Sequence, residues 1–161
     1  MTAALKLEDA EYAIDGVGPE ELDADWDQAW PYLERAIERF PNVRNQYTEA
    51  SLYRRVMRGE TQLWIAWDVG EEAITGAVAT EIITDPKYPG QIFAAIPLVG
   101  GDNWNKWGDA MWLTIKAWAR SHGCSHVLAY GRKGWQRLYG FDPVGKTEDG
   151  ILVMARKLKD K

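Results

Sequence analysis

An apolar run, IFAAIPLV (92–99), ends on Gly100 and Gly101. Asp102, Asn103 and a tryptophan-bearing helical pattern starting at Trp104 follow. A strand, a glycine turn and a helix N-terminus together make a cradle of backbone N–H groups suited to an anion such as phosphate. The residues that would line it are Leu98, Val99, Gly100, Gly101, Asp102, Asn103, Trp104 and Lys106. Asp102 sets a negative charge where the anion would sit, and Lys106 offsets it one turn later. Asp102 also suits the N-cap of the helix. The alternative is a tight corner that only turns the chain.

Other residues bear acid–base chemistry. Glu81 alternates with Ala79 and Ile83 along an extended segment, so the three share one face. A carboxylate among apolar neighbours can serve as a general base. Tyr130 ends a predicted strand and Tyr139 ends a short predicted helix. Either hydroxyl can donate a proton, or each ring simply packs in the core with its hydroxyl at the rim. His122 and His126 straddle Gly123 and would not share a helix face, so no metal pair is expected. Cys124 between them reads as a small buried thiol rather than a nucleophile.

These residues need elements to position them. EYAIDGV (11–17) reads as a first strand. Trp26, Trp30, Leu33, Ile37 and Phe40 recur at helical spacing, with Pro31 expected in the first turn and Pro41 as the stop. A second helix is predicted from Thr48 to Arg58, with Leu52, Val56 and Tyr53 inward and Gly59 ending it. QLWIAWD (62–68), ITGAVATEIITD (74–85) and QIFAAIPLV (91–99) read as three consecutive strands of an antiparallel meander. A long helix over 104–122 carries Trp107, Met111, Ile115 and Trp118 as its apolar stripe. SHVLAY (125–130) is the next strand, and the strand–helix–strand order makes it parallel to 91–99. A short helix, KGWQRLY, and a final hairpin close the chain. Residues 1–10 read as a loose terminus. The whole reads as one domain, 1–161, of α/β class with a mixed sheet.

Bulk properties narrow the function. The chain has 161 residues, 46% of them hydrophobic and 27% charged, as in globular domains. A net charge of −5 argues against binding duplex nucleic acid by phosphate neutralisation. A single cysteine excludes an intrachain disulfide framework and fits a reducing compartment. No apolar run is long enough to span a membrane, and no secretory leader is evident. A cytoplasmic location is expected. The nine tryptophans imply an aromatic-rich core or a large contact surface.

The order of elements resembles the GCN5-related N-acetyltransferase (GNAT) family over about residues 11–158. The resemblance rests on the loop Gly100-Gly101-Asp102-Asn103-Trp104 and on Trp135-Gln136-Arg137-Leu138-Tyr139-Gly140-Phe141, close to the family's closing Gly-Phe signature. It implies a mostly antiparallel mixed sheet with one parallel, splayed strand pair flanked by helices. It implies that the loop binds the pyrophosphate of acetyl-CoA or another acyl-CoA. Pro97, three residues before the loop, suits a strand parting from its neighbour. The implied activity is acyl transfer to an amine, on a small molecule or a protein, by direct attack on the thioester. Glu81 would help as base, and Tyr130 or Tyr139 as the acid that protonates the leaving thiolate. The chain departs from the family pattern where Val99 precedes Gly-Gly, where Gln136 takes the usual tyrosine position, and in lacking a glutamate in 91–99. The alternatives are an inactive GNAT-fold module, similar to phage-encoded chains and acting through a protein partner or as a homodimer, and an acyl-CoA sensor without turnover. Trp104, Trp107 or Trp135 would plug the cleft in such a module.

Overall fold

The computed structural model describes residues 11–39 and 47–158. Phe40, Pro41 and the expected loose terminus lie outside the described residues. The elements are β1 (Tyr12–Val17), α1 (Leu22–Arg39), α2 (Glu49–Met57), β2 (Gln62–Asp68), β3 (Ala73–Ile83), β4 (Phe93–Gly101), α3 (Trp104–Ser121), β5 (His126–Tyr130), α4 (Gly134–Tyr139), β6 (Asp142–Lys146) and β7 (Leu152–Lys157). The strands form a seven-stranded sheet in the order β1-β2-β3-β4-β5-β7-β6. The expected mixed α/β fold is therefore present, and β4 and β5 are the parallel pair. The chain forms two compact units, one of residues up to Ala79 with Leu98–Leu113, the other of Thr80–Pro97 with Thr114–Lys161.

In the first unit, β1 pairs antiparallel with β2 from Tyr12↔Asp68 to Val17↔Leu63. The buried face of α1 is Leu22, Trp26, Ala29, Leu33, Ala36 and Ile37. It packs with Leu52 and Val56 of α2, Leu63 and Ile65 of β2, and Ile74 and Ala77 of β3. Trp30, expected on this stripe, is only half-buried and stacks on Trp26 with ring centroids 5.8 Å apart. Helix α2 forms where its signals place it. Thr48 caps it by accepting from the Ser51 N–H at 3.0 Å, and the Ser51 hydroxyl accepts from Thr48 N–H in return.

The start of α1 corrects one expectation. The helix begins at Leu22, so Pro31 stands inside it and not in its first turn. A short 3-10 turn over Pro19–Glu21 leads straight into the helix. The Glu21 carboxylate accepts from Gly18 N–H, closing this start. An interior proline removes one helical hydrogen bond and crowds the preceding turn. Pro31 sits on the exposed side, so the stripe of buried residues continues past it. Pro31→Ala is expected to stabilise the protein by about 1–3 kcal/mol. A raised midpoint in urea unfolding would bear this out, and an unchanged or lowered one would show that the helix needs the distortion.

In the second unit, β4 and β5 pair in parallel from Phe93↔His126 to Ile96↔Ala129. β5 pairs antiparallel with β7 from His126↔Lys157 to Tyr130↔Val153. β6 pairs with β7 and carries an irregularity between Pro143 and Gly145. Val127, Ala129, Phe141 and Met154 are fully buried. Trp135 packs on Tyr139 and Phe141 with ring centroids 5.7 and 5.2 Å away.

Candidate active site

The glycine corner differs from its expected form. β4 continues through Gly101, so both glycines are strand residues and only Asp102 and Asn103 connect to α3. The cause is a nonlocal backbone bond: Asp102 N–H donates to the Thr75 carbonyl of β3 at 2.9 Å. The glycines are required by close approach. A Cβ at Gly100 would lie 2.0 Å from the Tyr32 carbonyl oxygen of α1. Gly101 has φ +154, and a Cβ there would lie 2.7 Å from Gly76 Cα and from the Trp107 ring. Trp107, 1% exposed, also donates its indole N–H to the Asp102 carbonyl at 2.7 Å. The indole thus holds the corner from beneath.

The exposed side of the corner carries the polar groups. Leu98 is buried and Val99 half-buried, whereas Asp102, Asn103 and Lys106 are exposed. Asn103 adopts φ 63, a left-handed conformation that asparagine tolerates, and its carbonyl accepts from Lys106 N–H at 2.8 Å. Trp104 is half-buried and stands edge-on to Trp107 at 4.8 Å. The Asp102 carboxylate accepts from Arg35 of α1 at 3.4 Å. Both side chains are more than half exposed, so the pair adds little stability. Its effect is electrostatic, since Arg35 balances the charge that Asp102 brings to the corner. Residue order does not reveal Arg35. It lies 67 positions from Asp102, and only the packing of α1 beside β3 brings it there, with Tyr32 O–H donating to the Ile74 carbonyl at 3.2 Å.

The charges around the corner bear on whether it suits a diphosphate group. The first turn of α3 holds no acidic residue, and Lys106 lies in it. With the helix N-terminus, Arg35, Asn103 and Lys106 on one side of the balance and a paired Asp102 on the other, the donor set fits an anion.

Acid–base residues gather in the second unit. Tyr130 immediately follows Ala129, the last residue of β5 that pairs with β4. The next residue of β4 is Pro97, which has no N–H to continue a ladder. Burial first, and the Glu81 carboxylate second, push the Tyr130 hydroxyl above its usual range. Glu81 of β3 and Tyr130 of β5 are thus brought within electrostatic reach. Tyr139 is different: it is 8% exposed, inside the cluster with Trp135 and Phe141. Its carbonyl accepts from Arg156 at 2.7 Å. Cys124 is buried, which raises its thiol and disfavours the thiolate. Among the described residues, no cluster of His, Cys, Asp or Glu could hold a metal ion. No described helix is long and apolar enough to cross a membrane.

A groove of about 460 Å³ lies in the same unit. Its walls come from the end of β3, the turn before β4, and β4 through β7. Ile83, His126 and Leu128 line it. By strand alternation, Ile83 shares a face with Glu81, and His126 and Leu128 share one with Tyr130. Val153, the ladder partner of Tyr130, lines it too. The groove is not legible in the residue order, because three separate segments build it.

No family model and no curated protein sequence matches the chain. Solved structures do. An aminoglycoside 6'-acetyltransferase type Ii matches with TM-score 0.65 at 15% identity, over 92% of this chain and 99% of that one. Arabidopsis thaliana NAA60, solved in complex with acetyl-CoA, matches with TM-score 0.60 at 15% identity, over 91% and 98%. A ribosomal-protein-S5-alanine acetyltransferase from Vibrio fischeri matches with TM-score 0.58 at 13% identity, over 93% and 94%. The chain has the fold of these acetyltransferases, as its resemblance to the GNAT family implies.

Proposed function

We propose that the protein is an acyl-CoA-dependent N-acyltransferase that moves an acetyl group to an amine. The observation that carries this reading is the fold shared with acetyltransferases, in which Tyr130 stands one residue past the end of the parallel ladder and within electrostatic reach of Glu81. The corner of the first unit supports donor binding, with Arg35, Asn103, Lys106 and the α3 N-terminus toward the diphosphate. Acetyl-CoA supplies the thioester acyl group.

The protons balance as follows. A substrate ammonium loses two. Glu81 takes the first and releases it to solvent, leaving the amine nucleophilic. The N–C bond forms and the C–S bond breaks, and the Tyr130 hydroxyl gives its proton to the sulfur. The second proton from nitrogen restores Tyr130. A hydroxyl held above its usual range is protonated at neutral pH, as this role needs. Orientation of the amine against the thioester supplies much of the remaining acceleration.

A binding module without turnover is the second reading. Its support is that packing against Tyr32, Gly76 and Trp107 by itself accounts for both corner glycines. Release of free thiol from acetyl-CoA over a panel of primary amines tests between the two. Amine-dependent release supports the enzyme, and its absence across the panel favours the module.

A further inference from the structure

We propose that the groove of the second unit is the acceptor site, and that it selects an amine carrying a carboxylate on an aromatic or branched apolar body, as in an apolar amino acid. This rests on the acyltransferase reading for the fate of the amine, but not for the binding itself.

The floor is aromatic. Tyr88 meets Phe93 edge-on at 6.0 Å, and Phe93 meets the His126 ring at 5.8 Å. Val144, 61% exposed, adds apolar surface from β6. A groove of this size, with aromatic and aliphatic side chains interspersed with polar and charged ones, fits a small molecule. The wall before β4 is ordered by two successive turns, Tyr88 N–H to the Asp85 carbonyl at 2.9 Å and Gln91 N–H to the Tyr88 carbonyl at 3.2 Å.

The charges are asymmetric. Lys87 and Lys146 line the groove, against Asp85 as the acidic residue of the lining. The Asp85 carboxylate already accepts from Lys87 N–H at 2.9 Å, within its own turn. Burial and then Lys157 lower the His126 pKa, so this ring is neutral at pH 7. The lining therefore favours an anion. A polycationic aminoglycoside would meet two ammonium groups. An amino acid would instead set its carboxylate on the lysines and its side chain on the ring row, with its amine left for Glu81 and Tyr130 beyond Ile83 and Val153.

Binding measured by calorimetry without acetyl-CoA tests this, using L-phenylalanine, phenethylamine and kanamycin. The expected order is L-phenylalanine first, with phenethylamine weaker by about tenfold, the value of one charge-assisted contact to its carboxylate. In the Lys87→Glu, Lys146→Glu double variant, L-phenylalanine should lose that advantage while the melting temperature stays near wild type, because both side chains are exposed. Equal binding of L-phenylalanine and phenethylamine, tighter binding of kanamycin, or no binding of L-phenylalanine at millimolar concentration would each overturn the proposal. If L-phenylalanine binds as expected but acetyl-CoA does not bind, the ligand selectivity of the groove stands, and its role as acceptor site falls with the acyltransferase reading.

Discussion

Gly100→Ala is expected to leave little folded protein. The added Cβ would sit 2.0 Å from the Tyr32 carbonyl oxygen and 2.7 Å from its carbon. Both are backbone atoms of a packed helix, so no side-chain rotation relieves the contact. Overpacking of a core by a side chain usually costs about 1–3 kcal/mol. A backbone-on-backbone clash should exceed about 3 kcal/mol, a large share of the about 5–15 kcal/mol that holds a domain together. Gly134→Ala is the control, since a Cβ there meets nothing within 4 Å. Urea unfolding should leave Gly134→Ala near wild type and move Gly100→Ala to a far lower midpoint or into the insoluble fraction. Near-wild-type stability of Gly100→Ala would mean that α1 does not pack on β4 as described. The result also bears on function. Glycine substitutions in this corner report on folding, so a test of anion binding has to use the exposed Lys106 instead.

Tyr130→Phe should lower kcat by about 10²–10⁴-fold, the usual contribution of a general acid, with KM little changed. The pH profile provides the sharper readout. Activity requires the protonated hydroxyl and is lost as pH rises through its pKa. Burial and Glu81 raise that pKa, so the basic limb should lie above the ordinary value of 10.0. Glu81→Gln removes the charge but not the burial. Its basic limb should move toward lower pH, and kcat should fall because the base is gone. A wild-type basic limb well below pH 10, or full activity in Tyr130→Phe, would remove Tyr130 from the proton path. Stability follows the same sign: a raised tyrosine pKa contributes below the unfolded value and is lost as pH rises through the folded one.

Local features were legible in the residue order, and nonlocal ones were not. Helix α2 could be read because Thr48, Leu52, Val56 and Gly59 lie within one short window. The parallel β4–β5 pair could be read because a helix between two strands forces a crossover. Pro31 misled because proline is common in a first turn, whereas burial of Leu22 and Trp26 draws the helix start earlier. The end of β4 misled because glycines signal a turn, and the bond from Asp102 to Thr75 that extends the strand joins distant segments. Glu81 and Tyr130 are each legible by residue type. That one charge acts on the other follows only from the fold. Arg35 and the groove were invisible for the same reason, since each depends on which surfaces meet.

The proposed function requires the corner after β4 to admit an acyl-CoA. A calorimetric titration of acetyl-CoA into wild-type protein and Lys106→Glu tests it most directly. Lys106 is exposed, so the variant should keep its fold. Saturable binding in the micromolar range, weakened about tenfold or more in Lys106→Glu, is the expected result. No heat at millimolar acetyl-CoA with folded wild-type protein, or equal affinity in the variant, would rule out donor binding at this corner.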